Sequence, residues 1–207
     1  MTDREFLRLH LAAVWGISAP PLVGAEEELA AEGAPPPWSL YRARLADGDE
    51  VAVWRAGVNP AERADLLQRA DAAGLNWDAD LRMRREVALR LAGNTPTAPA
   101  SAVARLLTAA DMSLVEAFEA GGAAYFLAAE QAPCYGVVVD GLLVSVAHSS
   151  RRTEVSCELG VETLPAARRH GYALAVTVAW STAICQEGLT PIYSALAANV
   201  ASLGLAA

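Results

Sequence analysis

The chain has 207 residues, 54% hydrophobic and 19% charged, which is enough to bury a core in one large domain or two small ones and too apolar for a disordered segment. Its formal charge of −8 and sequence pI of about 4.9 argue against broad binding to a nucleic-acid phosphate backbone. All 16 basic residues are arginine, so Schiff-base chemistry and the lysine of a P-loop are excluded.

Residues 1–16 mix acid and arginine in an amphipathic pattern and do not read as a signal peptide. No run of about 18 apolar residues occurs, so the expectation is a cytoplasmic protein with no membrane partner. Thr2 or Asp3 can cap a first helix whose apolar face is Phe6, Leu9, Ala13, Val14 and Ile17, ending before Pro20 and Pro21. His10 lies within it and reads as a packed or surface histidine, because no titratable partner is placed beside it. Residues 38–55 predict a β-hairpin around Asp47-Gly48-Asp49. Asn59-Pro60 opens a helix that runs to Ala73 and stops at Gly74. Asp78 or Asp80 starts another in which Met83, Val87 and Leu91 share a face, ended by Gly93. Its arginines, Arg82, Arg84, Arg85 and Arg90, read as a solvated face.

Pro96 and Pro99, among small residues, mark a linker at 96–101 between an N-terminal α+β domain, 1–95, and a second domain, 102–207. The second domain opens with a short strand at 102–107 and a helix at 111–120. Residues 121–132 are ambiguous. The hairpin signal at 134–148 turns at Asp140-Gly141, and its near-continuous valines predict a sheet covered on both faces. A third strand occupies 154–163, an apolar helix 173–186, a further strand 192–196, and Asn199 opens a last helix. Cys134, Cys157 and Cys185 lack CxxC spacing and read as buried, small apolar residues in a reducing compartment, so no metal site is expected.

Between the third strand and the long helix lies the turn Arg168-Arg169-His170-Gly171-Tyr172-Ala173. A helix start presents main-chain N–H groups with no intrahelical partner, and the helix dipole adds positive potential, so phosphate binds well there. Gly171 permits close approach of an anion, and Arg168 and Arg169 add charged donors. An ordinary strand-to-helix turn with surface arginines satisfies the same features.

The stretch Thr163-Leu164-Pro165-Ala166-Ala167-Arg168-Arg169-His170-Gly171-Tyr172-Ala173 resembles the acyl-CoA motif of the Gcn5-related N-acetyltransferases (GNAT), Arg/Gln-x-x-Gly-x-Gly/Ala. The preceding hairpin, the strand and helix around the turn, the strand near Tyr193, Asn199-Val200-Ala201-Ser202 and the opening Arg105 to Asp111 resemble the family's order over residues 102–207. The resemblance implies a GNAT-like α/β (α+β) fold, a mixed, mostly antiparallel sheet flanked by helices, whose C-terminal strands are missing from this sequence. It implies acetyl-CoA as cosubstrate and acetyl transfer to the amine of a small molecule or peptide, and a homodimer is left open. The main chain at Thr163 would pair with the pantetheine arm. Residues Arg168, Arg169, His170, Gly171, Tyr172 and Ala173 would hold pyrophosphate, and Asn199 matches a cofactor-contacting asparagine.

Such a transfer needs a neutral amine, so a carboxylate base is sensible, and a backbone amide suffices for the oxyanion. Glu158 and Glu162 are the candidate bases, each with a plain reading as a solvent-facing strand residue. Their even spacing sends both to one face of a regular strand, a parity that a bulge would break. Tyr172 and Tyr193 read as packing residues. Ala206 stands where many relatives place the tyrosine that protonates the leaving thiolate. Two other readings stay open: a GNAT-like module that binds acyl-CoA or a partner without turnover, and an N-terminal half that is itself a remnant transferase-like domain.

Overall fold

The computed structural model describes residues 1–31, 34–73, 86–90 and 103–206. The chain divides into two compact units, Met1–Arg85 and Glu86–Ala207.

In the first unit, α1 (Asp3–Trp15) begins at Thr2, whose hydroxyl accepts from the Glu5 N–H while the Glu5 carboxylate takes the Thr2 N–H, and ends on Gly16 in the left-handed conformation. The sheet orders β1 (Glu26–Glu28), β3 (Glu50–Trp54) and β2 (Leu40–Arg44), with β3 in the centre, parallel to β1 and antiparallel to β2. Alternation along β3 serves two cores. Val51 and Val53 join Leu7 and Leu11 of α1, whereas Ala52 and Trp54 join Val58, just ahead of α2 (Pro60–Ala73), and Leu66 within it. The expected first helix, hairpin and Asn59-Pro60 helix are all present. His10 is fully buried in the α1 core. Strand β1 went unread in the sequence, since three glutamates carry no apolar alternation.

One expected helix is corrected. Residues Glu86–Arg90, read as part of a helix through Met83, Val87 and Leu91, form strand β4 and pair antiparallel with β9 (Thr190–Leu196) in the second unit. The division into units therefore falls ahead of the expected linker. The linker at 96–101 and the remainder of that helix lie outside the described residues.

The second unit is built on a sheet ordered β4-β9-β8-β7-β6-β5, with β5 at Ala104–Leu106, β6 at Tyr135–Val139, β7 at Leu142–Arg152 and β8 at Ser156–Thr163. Every neighbouring pair is antiparallel except β8 with β9. The mixed, mostly antiparallel sheet flanked by helices is thus the observed fold. One face carries α5 (Tyr172–Gln186), whose Ala175, Val176, Trp180 and Ile184 pack on Ala147, Cys157 and Leu159. Over β6 and β7 the other face carries α3 (Met112–Phe118) and α4 (Gly122–Phe126), where Val115 and Phe126 meet Leu143 and Val146. The hairpin is therefore covered on both sides, as its valines predict. Trp180 is 1% exposed, and its indole N–H donates to the Ser149 hydroxyl at 3.2 Å. Cys134 and Cys157 are buried as expected, but Cys185 is exposed. The last helix, α6, spans Val200–Ala206.

Candidate functional site

The predicted anion turn is a loop feeding a long helix. A 3-10 turn at Pro165–Ala167 ends on Arg168, Arg169 takes φ 65°, and Gly171 takes φ 79° as the N-cap of α5. Gly171 has no side chain with which to cap the helix. Main-chain bonding resumes with the Ala175 N–H, which donates to the Gly171 carbonyl at 3.0 Å. Among the described residues, no protein acceptor meets the N–H groups from Arg169 through Leu174. Arg168 and Arg169 are exposed, and neither forms an ion pair within the described residues. The His170 ring stacks on Tyr172 with centroids 5.5 Å apart, and its Nδ1 lies 2.8 Å from the Arg168 carbonyl. The result is an uncapped helix start flanked by unpaired guanidinium groups, which suits a diphosphate.

Beside it the sheet opens. β8 and β9 pair only through Ser156 with Thr190, Cys157 with Pro191 and Glu158 with Ile192. Beyond Glu158, β8 continues to Thr163 against β7 alone, while β9 continues to Leu196 against β4. The Leu164 N–H donates to the Val144 carbonyl, so the alternating ladder turns the main-chain groups of residues 160 and 162 toward β7 and those of Val161 and Thr163 toward the gap left by β9. The Thr163 hydroxyl lies 2.8 Å from that of Ser145, which donates to the Glu162 carbonyl.

Glu158 and Glu162 keep the parity expected of a regular strand. The bulge next to them lies in β7, where Ser150 is the extra residue between Ser149 and Arg151. Both glutamates project with Gly160 from the face opposite α5, since Cys157, Leu159 and Val161 belong to the α5 core. Their surroundings differ. Glu158 is 4% exposed and accepts hydrogen bonds from Ser150, Arg151 and Ser194. Glu162 is exposed and has no ion pair among the described residues; crowding by protein, then the charge of Glu119, hold its carboxyl above the usual carboxylate range.

His148 shares this face and was not singled out in the sequence. It is 3% exposed, wedged edge-on between Tyr125 and Phe126, and paired in register with Gly160. Its Nδ1 lies 2.9 Å from the Gln131 side-chain amide oxygen, within hydrogen-bonding distance. Burial pushes the imidazole down to about 4. A Cβ on Gly160 would sit 2.3 Å from His148 Nε2. Gly160→Ala is accordingly expected to destabilise the protein by about 1–3 kcal/mol through overpacking. His148→Ala should absorb part of that cost in the double variant, a non-additivity that urea unfolding of the four proteins measures.

Asn199 leads into α6, its side-chain oxygen accepting from the Ser202 N–H at 3.1 Å. Tyr193 packs against the α5 core, as expected of a packing tyrosine. Among the described residues no group of three or more metal-ligating side chains occurs, and no helix is long and apolar enough to cross a membrane.

No family model and no curated protein matches the chain. Among solved structures, it is similar to a GNAT-family protein from Novosphingobium aromaticivorans, at 20% identity over 59% of this chain and 56% of that one, with a TM-score of 0.49. It is also similar to a GCN5-related N-acetyltransferase-like protein from Streptococcus suis, at 18% identity over 74% of this chain and 64% of that one, with a TM-score of 0.40. An acetyltransferase of the GNAT family from Colwellia psychrerythraea matches at 15% identity over 81% of this chain and 75% of that one, TM-score 0.49. This chain spans less than two thirds of the length of the first two of these proteins.

Proposed function

We propose that the second unit binds acetyl-CoA and is an N-acetyltransferase of the Gcn5-related type, acting on the amine of a small molecule or peptide. The observation that carries this reading is the run of acceptor-free N–H groups from Arg169 through Leu174, at the start of α5 and beside the gap between β8 and β9. These amides, with Arg168 and Arg169, hold the diphosphate. The main-chain groups of Val161 and Thr163 then pair with the pantetheine amides along the gap, as an added strand would. Asn199, whose side-chain nitrogen has no partner among the described residues, lies where the chain leaves β9 and donates to the cofactor. Acetyl-CoA supplies an acyl group activated as a thioester. A main-chain N–H at the gap donates to its carbonyl oxygen as negative charge builds there.

Of the two candidate bases, Glu162 suits proton transfer better. Its carboxyl already favours the proton more than an ordinary glutamate and has no cation bound to it, whereas both oxygens of Glu158 are occupied by donors. Glu162 takes the proton from the incoming ammonium, directly or through one water.

Calorimetric titration with acetyl-CoA tests the binding, and CoA release over a panel of amines tests the turnover. Saturable binding is expected, with Glu162→Gln lowering kcat about 100-fold at high pantetheine-cofactor concentration while leaving the dissociation constant of acetyl-CoA near that of the wild type. No binding at millimolar acetyl-CoA would sink the proposal. Binding without release of CoA for any amine would make the chain an acyl-CoA-binding module instead.

A further inference from the structure

The parting of β8 and β9 has a definite position, and a buried carboxylate sits at it. Glu158 forms the last parallel pair with Ile192. Its Oε1 accepts from the Ser194 hydroxyl on β9, and its Oε2 accepts from Arg151 at 2.6 Å and from the Ser150 hydroxyl at 3.2 Å, both on β7. One side chain therefore ties three adjacent strands. The β7 bulge makes this possible, because the extra residue Ser150 and the resumed pairing of Arg151 with Glu158 aim two donors at a single oxygen. A carboxylate that is 4% exposed persists only with donors on both oxygens, so each of the three contacts has a physical reason to be kept.

The tie is asymmetric. Two donors bind Glu158 to β7, a strand to which β8 is already laddered along its length. Toward β9 the main chain offers three residue pairs and then nothing, and the Ser194 hydroxyl reaches back across the point of divergence, two residues beyond the last pair. We infer that Ser194, acting through Glu158 and its anchors Ser150 and Arg151, is a positioning residue that fixes where β8 and β9 separate and hence the width of the gap that receives the pantetheine arm. This inference rests on acetyl-CoA being the ligand proposed above. Glu158 is on this reading a strand clasp, and Ser194 specifies the gap without touching the reacting atoms.

The test uses the full chain with Ser194→Ala and Ser194→Thr, the second of which keeps the hydroxyl. Calorimetry with acetyl-CoA is paired with amide hydrogen exchange of β8 and β9 in the unliganded protein. Ser194→Ala is expected to bind acetyl-CoA about tenfold more weakly and to exchange faster at the parallel pairs, with Ser194→Thr restoring both. Thermal melting checks that each variant is folded; if Ser194→Ala is not, Ser194→Cys, close in shape but with a thiol that is a weaker donor than the hydroxyl, is measured in its place with the same direction of change expected. Wild-type binding matched by the alanine variant, or a threonine variant as impaired as alanine, overturns the clasp alone. A wild-type protein that binds no acetyl-CoA overturns the proposed function and the clasp together.

Discussion

Gly171→Trp is expected to weaken acetyl-CoA binding by at least about 100-fold, a loss of about 2.7 kcal/mol, while the protein still folds. At Gly171 the backbone has φ 79° and ψ 2°, and a Cβ placed there meets nothing within 4 Å. A side chain can therefore leave the backbone here without an immediate clash, at the cost of left-handed strain of about 1–2 kcal/mol, which lowers the melting temperature by a few degrees, about 2–8 °C. The indole is expected to occupy the space in front of the N–H groups that lack acceptors. Gly171→Ala carries the same strain with almost no bulk, so it should keep most of the affinity. Calorimetry on both variants separates blocking from strain. Equal affinity for acetyl-CoA in the tryptophan variant and the wild type would remove the pyrophosphate from this turn.

The second large effect is an acid sensitivity stored in His148. The unfolded chain takes up a proton near 6.5, whereas burial holds the folded imidazole down to about 4. Between those values the unfolded state binds more protons, so folding stability falls as pH falls, by up to about 3 kcal/mol across the window, and levels off below it. Glu162 acts in the opposite sense, since a carboxyl held above its usual range favours the folded state on protonation. The His148 contribution is therefore read as a difference. Urea midpoints from pH 7 to 4 should decline in the wild type and run flatter in His148→Asn, which replaces the titrating ring with a neutral polar side chain. Parallel slopes would show that the imidazole titrates freely.

What could be read from the sequence is what the chain writes locally. The capping box at Thr2 and Glu5, the Asp47-Gly48-Asp49 and Asp140-Gly141 turns, and the Pro165 to Gly171 punctuation before α5 each encode a boundary within a few residues, and each appears in the structure. Contacts between distant strands were not readable. Glu86–Arg90 has helix-forming residues at helical spacing, yet it is a strand because β9, about a hundred residues later, supplies its ladder. The bulge at Ser150, the approach of His148 to Gly160 and the reach of Ser194 to Glu158 are likewise products of register. The two candidate glutamates were found by type and parity, but their division into a tied and an untied carboxylate depends on neighbours that no spacing rule supplies.

Strand β1 adds a consequence of another kind. It is a sheet border made only of glutamate, with Glu26 engaged by the Trp54 indole and Glu28 by Arg63, and no strand lies beyond it among the described residues. A stray extended segment seeking that border must desolvate carboxylates to zip on, so this edge of the first unit is guarded against runaway pairing by charge.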